Sequence, residues 1–108
     1  MISFDTNLIL YSLNRDCPEY TEARAFFGSL PAAPGYVAIC ELVLVELYVL
    51  LRNPVVLKNP LDSADAVALI QTFRRHPTWR LIDYPGQAST IMEDIWRRAA
   101  QPRPSSAA

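Results

Sequence analysis

Two acidic residues, Asp5 and Glu46, stand where a carboxylate could take part in chemistry. Asp5 directly follows the short apolar run Ile2–Phe4. Glu46 is the one charged residue between Glu41 and Arg52, in a segment that is apolar almost all the way round a helix. Such a helix is typically buried, and a buried carboxylate requires a partner that offsets its charge. We therefore predict that Glu46 is buried against an arginine, against backbone donors or against a metal ion.

Each of these acids admits a structural and a functional interpretation. Asp5 is suited to cap the helix that follows it or to bind a cation. Glu46 is suited to a structural ion pair or to a metal site, and the residue by itself leaves both open. Glu41 lies about 140° away round the same helix, so it cannot share a face with Glu46. We predict that Glu41 interacts with the helix dipole in the first turn.

Helical and extended segments alternate along the chain. Strands are predicted at residues 2–4, 36–39 and 79–82. Helices are predicted at residues 7–13, 41–52, 64–75 and 88–99, and a further helix begins within residues 16–19, with Pro18 in its first turn, and runs to residue 27. This alternation predicts a three-layer α/β domain over residues 1–100, with a short parallel sheet flanked by helices. The remaining residues 101–108, rich in Pro, Ser and Ala, are predicted to form a disordered tail.

The predicted topology brings the two acids together. Asp5 is expected at the end of the first strand and Glu46 on the helix behind the next one, so both point toward the same end of the sheet, where ligands gather. Mg²⁺ takes oxygen ligands, usually one or two carboxylates with waters and phosphate oxygens. This pair therefore suits metal-assisted phosphodiester cleavage by an activated water.

Composition limits the kinds of partner. The net charge of −1 excludes a global basic field, so any nucleic acid must contact a local patch, for which Arg74, Arg75 and Arg80 are candidates. No apolar run is long enough to span a bilayer, and the first residues lack a signal-peptide pattern. The two cysteines, Cys17 and Cys40, have no metal-binding spacing and are predicted to be buried or half-buried thiols, so the protein is assigned to the cytoplasm.

Three segments taken together resemble the PIN domains of bacterial toxin–antitoxin systems, the VapC-type toxins. They are FDTNLILYSL at residues 4–13, AICELVLVELYVLLRNP at 38–54 and RLIDYP at 80–85. The resemblance implies a PIN-type endoribonuclease that depends on Mg²⁺, or Mn²⁺, and is silenced by a cognate antitoxin. It implies that Asp5 and Glu46 are the catalytic and metal-binding acids, supported by Thr6 and Asn7.

The chain also departs from the family pattern. PIN domains hold a further acid, usually two, on a segment after the last helix, and that segment supplies the remaining strands. No residue here matches it, so we expect residues 1–100 to correspond to the N-terminal two-thirds of the domain, with the C-terminal strands missing. Asp83 is predicted to be a turn residue, and Glu93 and Asp94 to lie on a solvated helix face.

A second interpretation is a catalytically incomplete remnant that only binds an antitoxin peptide. Its groove would lie across the N-terminal helices, with Tyr11, Leu13, Phe26 and Phe27 as candidate contacts. In either case the chain is expected to form a homodimer or a toxin–antitoxin hetero-oligomer. A structural α/β domain ranks third. A haloacid-dehalogenase-like phosphatase would need a second aspartate where Asn7 stands, so that class is excluded.

Overall fold

Five helices and two short strands form the structure, a computed structural model that describes residues 2–82 and 88–101. They follow in the order α1 (Thr6–Leu13), α2 (Tyr20–Gly28), β1 (Ala38–Cys40), α3 (Glu41–Leu51), α4 (Ser63–Arg74), β2 (Arg80–Ile82) and α5 (Ala88–Ala99). The predicted α/β class is confirmed. All five predicted helices are present, although α2 begins at Tyr20, after the predicted start that included Pro18 in the first turn.

The starts of α1 and α4 were predictable because an aspartate caps each of these helices. Asp5 accepts a hydrogen bond from the Leu8 N–H at 3.1 Å and begins α1. Asp62 accepts one from the Asp65 N–H at 2.8 Å and begins α4. Each cap satisfies a backbone donor that the helix itself leaves without a partner.

The two strands pair in parallel. Ala38 of β1 lies opposite Arg80 of β2, and Cys40 lies opposite Ile82. The carboxyl end of β1 leads directly into α3, whose first residue is Glu41. The sheet therefore fixes the point at which the most apolar helix of the chain begins.

The predicted strand at residues 2–4 is wrong in extent. Only Ile2 pairs, through one parallel bridge to Val37 on the edge of β1 opposite β2. The Ile2 N–H donates to the Tyr36 carbonyl, and the Ala38 N–H donates to the Ile2 carbonyl, each at 2.8 Å. The ladder is short because the chain enters the α1 cap at Asp5, three residues later.

One continuous apolar core holds the helices together. Helix α1 packs on α2 and α3, α3 packs on α4 and β1, and α4 packs on α5. Burial of each large aliphatic side chain contributes about 1.5–3 kcal/mol. The buried members are Ile9, Leu10, Ile39, Leu44, Leu47, Leu51, Leu57, Ala66, Val67, Ile70 and Trp96.

Further predictions concern the tail, a turn residue and the two thiols. The predicted tail at residues 101–108 lies, apart from Gln101, outside the described residues, and so does the predicted turn residue Asp83. Cys17 and Cys40 are free thiols; Cys17 is half-buried, whereas Cys40 is exposed, contrary to the prediction. Within the described ranges, no helix is both long and apolar enough to cross a membrane.

Candidate active site

A hydrogen bond joins the first residue of α1 to the middle of α3. The Thr6 Oγ1 hydroxyl donates to Glu46 Oε2 at 2.8 Å. Thr6 is buried, with 5 % of its surface exposed. Because Asp5 immediately precedes Thr6, this bond brings the two predicted acids to one junction between α1 and α3.

The prediction that Glu46 is buried is wrong. Its side chain lies on the exposed face of α3, between Leu42 and Val49, which are 52 % and 59 % exposed. The opposite side of the helix carries the fully buried leucines Leu44, Leu47 and Leu51. The helix is apolar all round in sequence, yet only one side of it enters the core. Glu46 therefore needs no offsetting charge, and water solvates its carboxylate.

Both interpretations of Asp5 are compatible with the geometry. One carboxylate oxygen, Oδ1, accepts the Leu8 N–H and caps α1. The residue as a whole is exposed. Asn7, the other predicted supporting residue, is exposed on the first turn of α1. A cap and a ligand are therefore compatible roles for the same side chain.

The buried acid of α3 is Glu41, which is 1 % exposed. Arg74 Nε of α4 donates to both of its carboxylate oxygens at 3.0 Å. Trp96 Nε1 of α5 donates to Oε1 at 2.6 Å. Glu41 does stand in the first turn of α3, as predicted, but it also joins three helices. A local reading of the sequence missed this role because both partners come from distant elements.

Glu93 extends the same network toward solvent. It accepts hydrogen bonds from Arg74 and from the exposed Arg75, so the prediction that it lies on a purely solvated face is wrong. Burial disfavours the charge of Arg74, but the hydrogen bonds to Glu93 and Glu41 outweigh this and raise its pKa above the ordinary value. Burial also opposes the charge of Glu93, yet its bonds to the two arginines leave its pKa below the ordinary value.

The candidate RNA-binding arginines differ in availability. Arg74 is 9 % exposed, and its guanidinium is bound by Glu41 and Glu93, so the fold uses its charge internally. Arg75 and Arg80 are exposed. Arg80 lies at the first position of β2. No hydrogen bond or ion pair among the described residues joins it to Thr6 or Glu46.

The donor chemistry of Asp5 and Glu46 fits a hard divalent cation. Both side chains are exposed carboxylates, and Mg²⁺ is commonly held by one or two carboxylates with waters and substrate phosphates. Within residues 2–82 and 88–101, no group of three or more His, Cys, Asp and Glu side chains is placed to hold a metal ion. The described part of the chain therefore offers a pair of acids and no larger set.

Two concave surfaces lie outside this junction. A cleft of about 350 Å³ between α1 and α2 is lined by Leu8, Tyr11, Glu19, Glu22, Ala23 and Phe26. It includes two of the predicted groove residues, Tyr11 and Phe26, whereas Leu13 and Phe27 pack against the core. A larger groove of about 1310 Å³ runs between α4 and α5 and contains neither Asp5 nor Glu46.

Comparison with known proteins identifies the family. The chain is 48 % identical over 103 residues to Ribonuclease VapC24 of Mycobacterium tuberculosis, in strain CDC 1551 / Oshkosh and in strain ATCC 25618 / H37Rv. The match covers 95 % of this chain and 68 % of the relative. No family model and no solved structure matches the chain. The resemblance noted in the sequence is thereby confirmed, and the chain belongs to the VapC family.

Proposed function

We propose that this chain is an endoribonuclease toxin of a type II toxin–antitoxin system, which cleaves RNA with Asp5 and Glu46. The observation that carries the proposal is the 48 % identity to Ribonuclease VapC24 across nearly the whole chain. The Thr6–Glu46 hydrogen bond supports the assignment of residues, because it places Glu46 beside the start of α1, where Asp5 stands.

The chain's own side chains would orient the acids. Thr6, buried and therefore restricted, donates to Oε2 of Glu46, and no hydrogen bond to Oε1 is found among the described residues. The α1 cap holds Asp5 through Oδ1, and within the described part of the chain Oδ2 accepts no hydrogen bond. Asn7, exposed on the next position, would support the site as a polar neighbour. Side chains fixed in this way would lose little conformational freedom when substrate binds.

Asp5 and Glu46 would hold Mg²⁺, or Mn²⁺ in its place. Both acids offer the oxygen ligands that these ions prefer. When bound, the ion supplies an activated water and neutralises charge on the phosphate. The fit rests on two carboxylates, which is within the usual number for Mg²⁺.

RNA would be held by a few exposed arginines, because the surface as a whole carries no net positive charge. Arg80 is exposed, and Arg75 is exposed but also pairs with Glu93, whereas Arg74 is engaged in the interior. With a net charge of −1, the protein would rely on such local contacts. We place the activity in the cytoplasm, where the free thiols of Cys17 and Cys40 would stay reduced.

The partner would be a cognate antitoxin that docks in the α1–α2 cleft. Leu8, Tyr11 and Phe26 provide an apolar floor, and Glu19 and Glu22 add two carboxylates at the same place. These features would favour an amphipathic peptide with basic residues. The assembly would be a homodimer or a toxin–antitoxin hetero-oligomer.

The alternative is a protein that binds this peptide and cleaves nothing. The observation in its favour is the small number of acids at the junction, since no group of three is found in the described residues. The two functions differ in what they require of Asp5 and Glu46. Peptide binding at the α1–α2 cleft would survive loss of either acid.

The decisive experiment measures RNA cleavage by the purified chain with Mg²⁺ and with a chelator. Asp5→Asn and Glu46→Gln should abolish cleavage while the protein stays folded. Asparagine caps a helix as well as aspartate, and Glu46 lies on an exposed face. The matched control is Asp62→Asn, which alters the other acidic cap and should cleave normally. Cleavage that persists in Asp5→Asn and Glu46→Gln would contradict the assignment, and peptide binding without any cleavage would favour the alternative.

A further inference from the structure

Helix α3 carries polar contacts on two opposite sides. On the side toward α4 and α5, Glu41 and Tyr48 are two turns apart and both meet Trp96. The indole Nε1 donates to Glu41, and the rings of Tyr48 and Trp96 pack edge to face with centroids 5.5 Å apart. On the other side, Glu46 accepts the hydroxyl of Thr6 from α1.

The contacts of Glu41 are buried hydrogen bonds, which depend on direction. Its carboxylate accepts Arg74 Nε on both oxygens and Trp96 Nε1 on one, and Arg74 and Trp96 are themselves buried. Hydrogen bonds of charged groups at 2.6–3.0 Å in a low-dielectric interior are strong and have a defined geometry. They determine both the position of the first turn of α3 and the direction in which it faces.

The apolar contacts of α3 have no such directionality. Leu44, Leu47 and Leu51 are fully or almost fully buried, but hydrophobic burial depends on the area removed from water and not on orientation. A rotation of about 20° would displace a side-chain group about 5 Å from the helix axis by roughly 2 Å. That displacement exceeds what the 2.8 Å bond from Thr6 to Glu46 can follow.

We propose that Glu41 is a positioning residue for Glu46: by binding Arg74 and Trp96, it fixes the rotation of α3 so that Glu46 meets Thr6. Glu41 lies about 140° from Glu46 round the helix, so it acts on the site from the opposite side. The consequence for catalysis rests on the proposed function, whereas the structural coupling does not. The coupling connects α5, through Trp96, to the junction of α1 and α3.

The test follows the methyl group of Thr6 by NMR in the full chain, with threonine methyls labelled. Glu46→Gln gives the signal of a junction that has lost its carboxylate. Trp96→Phe keeps an aromatic ring and removes one donor to Glu41, and Glu41→Gln removes the charge. We expect both to move the Thr6 methyl signal toward its position in Glu46→Gln, at temperatures where the chains are folded.

Asp62→Ala is the matched control for stability, because it removes the α4 cap without touching α3. It should lower the melting temperature and leave the Thr6 signal in place. An unchanged Thr6 signal in folded Trp96→Phe would overturn the proposal and leave Glu41 with a purely stabilising role. If Glu41→Gln does not fold, Trp96→Phe decides the question by itself.

RNA cleavage supplies a separate readout. Misplacement of Glu46 should lower kcat by roughly tenfold to a hundredfold in Trp96→Phe with little change in KM. If the unaltered chain does not cleave RNA, the proposed function fails while the Thr6 signal still tests the coupling. Normal kcat in an active Trp96→Phe chain would contradict the catalytic consequence.

Discussion

Thr6 and Glu46 lie 40 positions apart in the sequence, and a 2.8 Å hydrogen bond joins their side chains. This bond links the start of α1 to an acid on the exposed face of α3. Because Glu46 is exposed, the hydroxyl of Thr6 restricts a side chain that solvent would otherwise leave free.

Replacement of Thr6 by Val keeps the shape of the side chain and removes the hydroxyl. We expect RNA cleavage to fall roughly tenfold to a hundredfold, since one neutral-to-charged hydrogen bond of about 1.5–3 kcal/mol is lost at the junction. Thr6→Ser retains the donor and is the matched control. Steady-state kinetics with both variants checks this, and equal activity of Thr6→Val and Thr6→Ser would refute a role for the hydroxyl.

Metal binding is expected to depend on both acids. A calorimetric titration of Mg²⁺ or Mn²⁺ into the chain should give saturable binding that is lost in Asp5→Asn and in Glu46→Gln. Asp62→Asn changes the other capping aspartate and should bind as the unaltered chain does. A flat titration of the folded, unaltered chain would show that two carboxylates do not suffice.

The neighbouring arginines Arg74 and Arg75 should respond very differently to the same change. Arg74→Met leaves Glu41 buried without its charged partner, which costs about 3–5 kcal/mol. Arg75→Met removes an exposed pair with Glu93, worth about 0–1 kcal/mol. Chemical denaturation followed by circular dichroism measures both free energies of unfolding. Equal losses would mean that the buried network contributes no more than the exposed ion pair.

His76 should make the stability of the chain sensitive to pH. Its Nδ1 accepts the N–H groups of Thr78 and Trp79 at 3.2 Å, and its ring stacks on Trp79. Burial lowers the pKa of His76 below its ordinary 6.5, so the unfolded chain takes up the proton first as the pH falls. Stability is therefore full above about pH 6.5 and is lost as the pH falls through the lower pKa of the folded chain.

His76→Asn is the control for this effect. An asparagine oxygen can accept a backbone N–H two residues on, and it does not titrate. Melting temperatures measured from pH 7.5 to pH 5 should fall more steeply for the unaltered chain than for His76→Asn. Parallel curves would show that the titration of His76 does not contribute.

The helices were accessible from the sequence because their signals are local. Capping aspartates and apolar spacing predicted α1 and α4. The alternation of extended and helical segments along the chain predicted the α/β class. The position of Asp5 at the start of α1 followed from the same signals. Such features need only the neighbouring residues to be recognised.

The buried glutamate of α3 was not accessible in this way. The helix is apolar almost all round, so its sequence does not tell which side enters the core. Arg74 and Trp96, which come from α4 and α5, decide that Glu41 is buried and Glu46 exposed. For the same reason Arg74 read as a candidate for RNA contact, although the fold engages it internally. Partnerships between distant elements carry no local signature.

The network round Glu41 also constrains how the sequence of this chain can diverge. Replacing Glu41, Arg74 or Trp96 alone leaves a buried polar group without its partner, and such changes are costly. Replacing the charged pair together by apolar residues of similar volume can be neutral. We therefore expect these three positions to covary in evolution, so that homologues keep the set or exchange it as a whole. A saturation mutagenesis library would reveal the same dependence as strong epistasis among them.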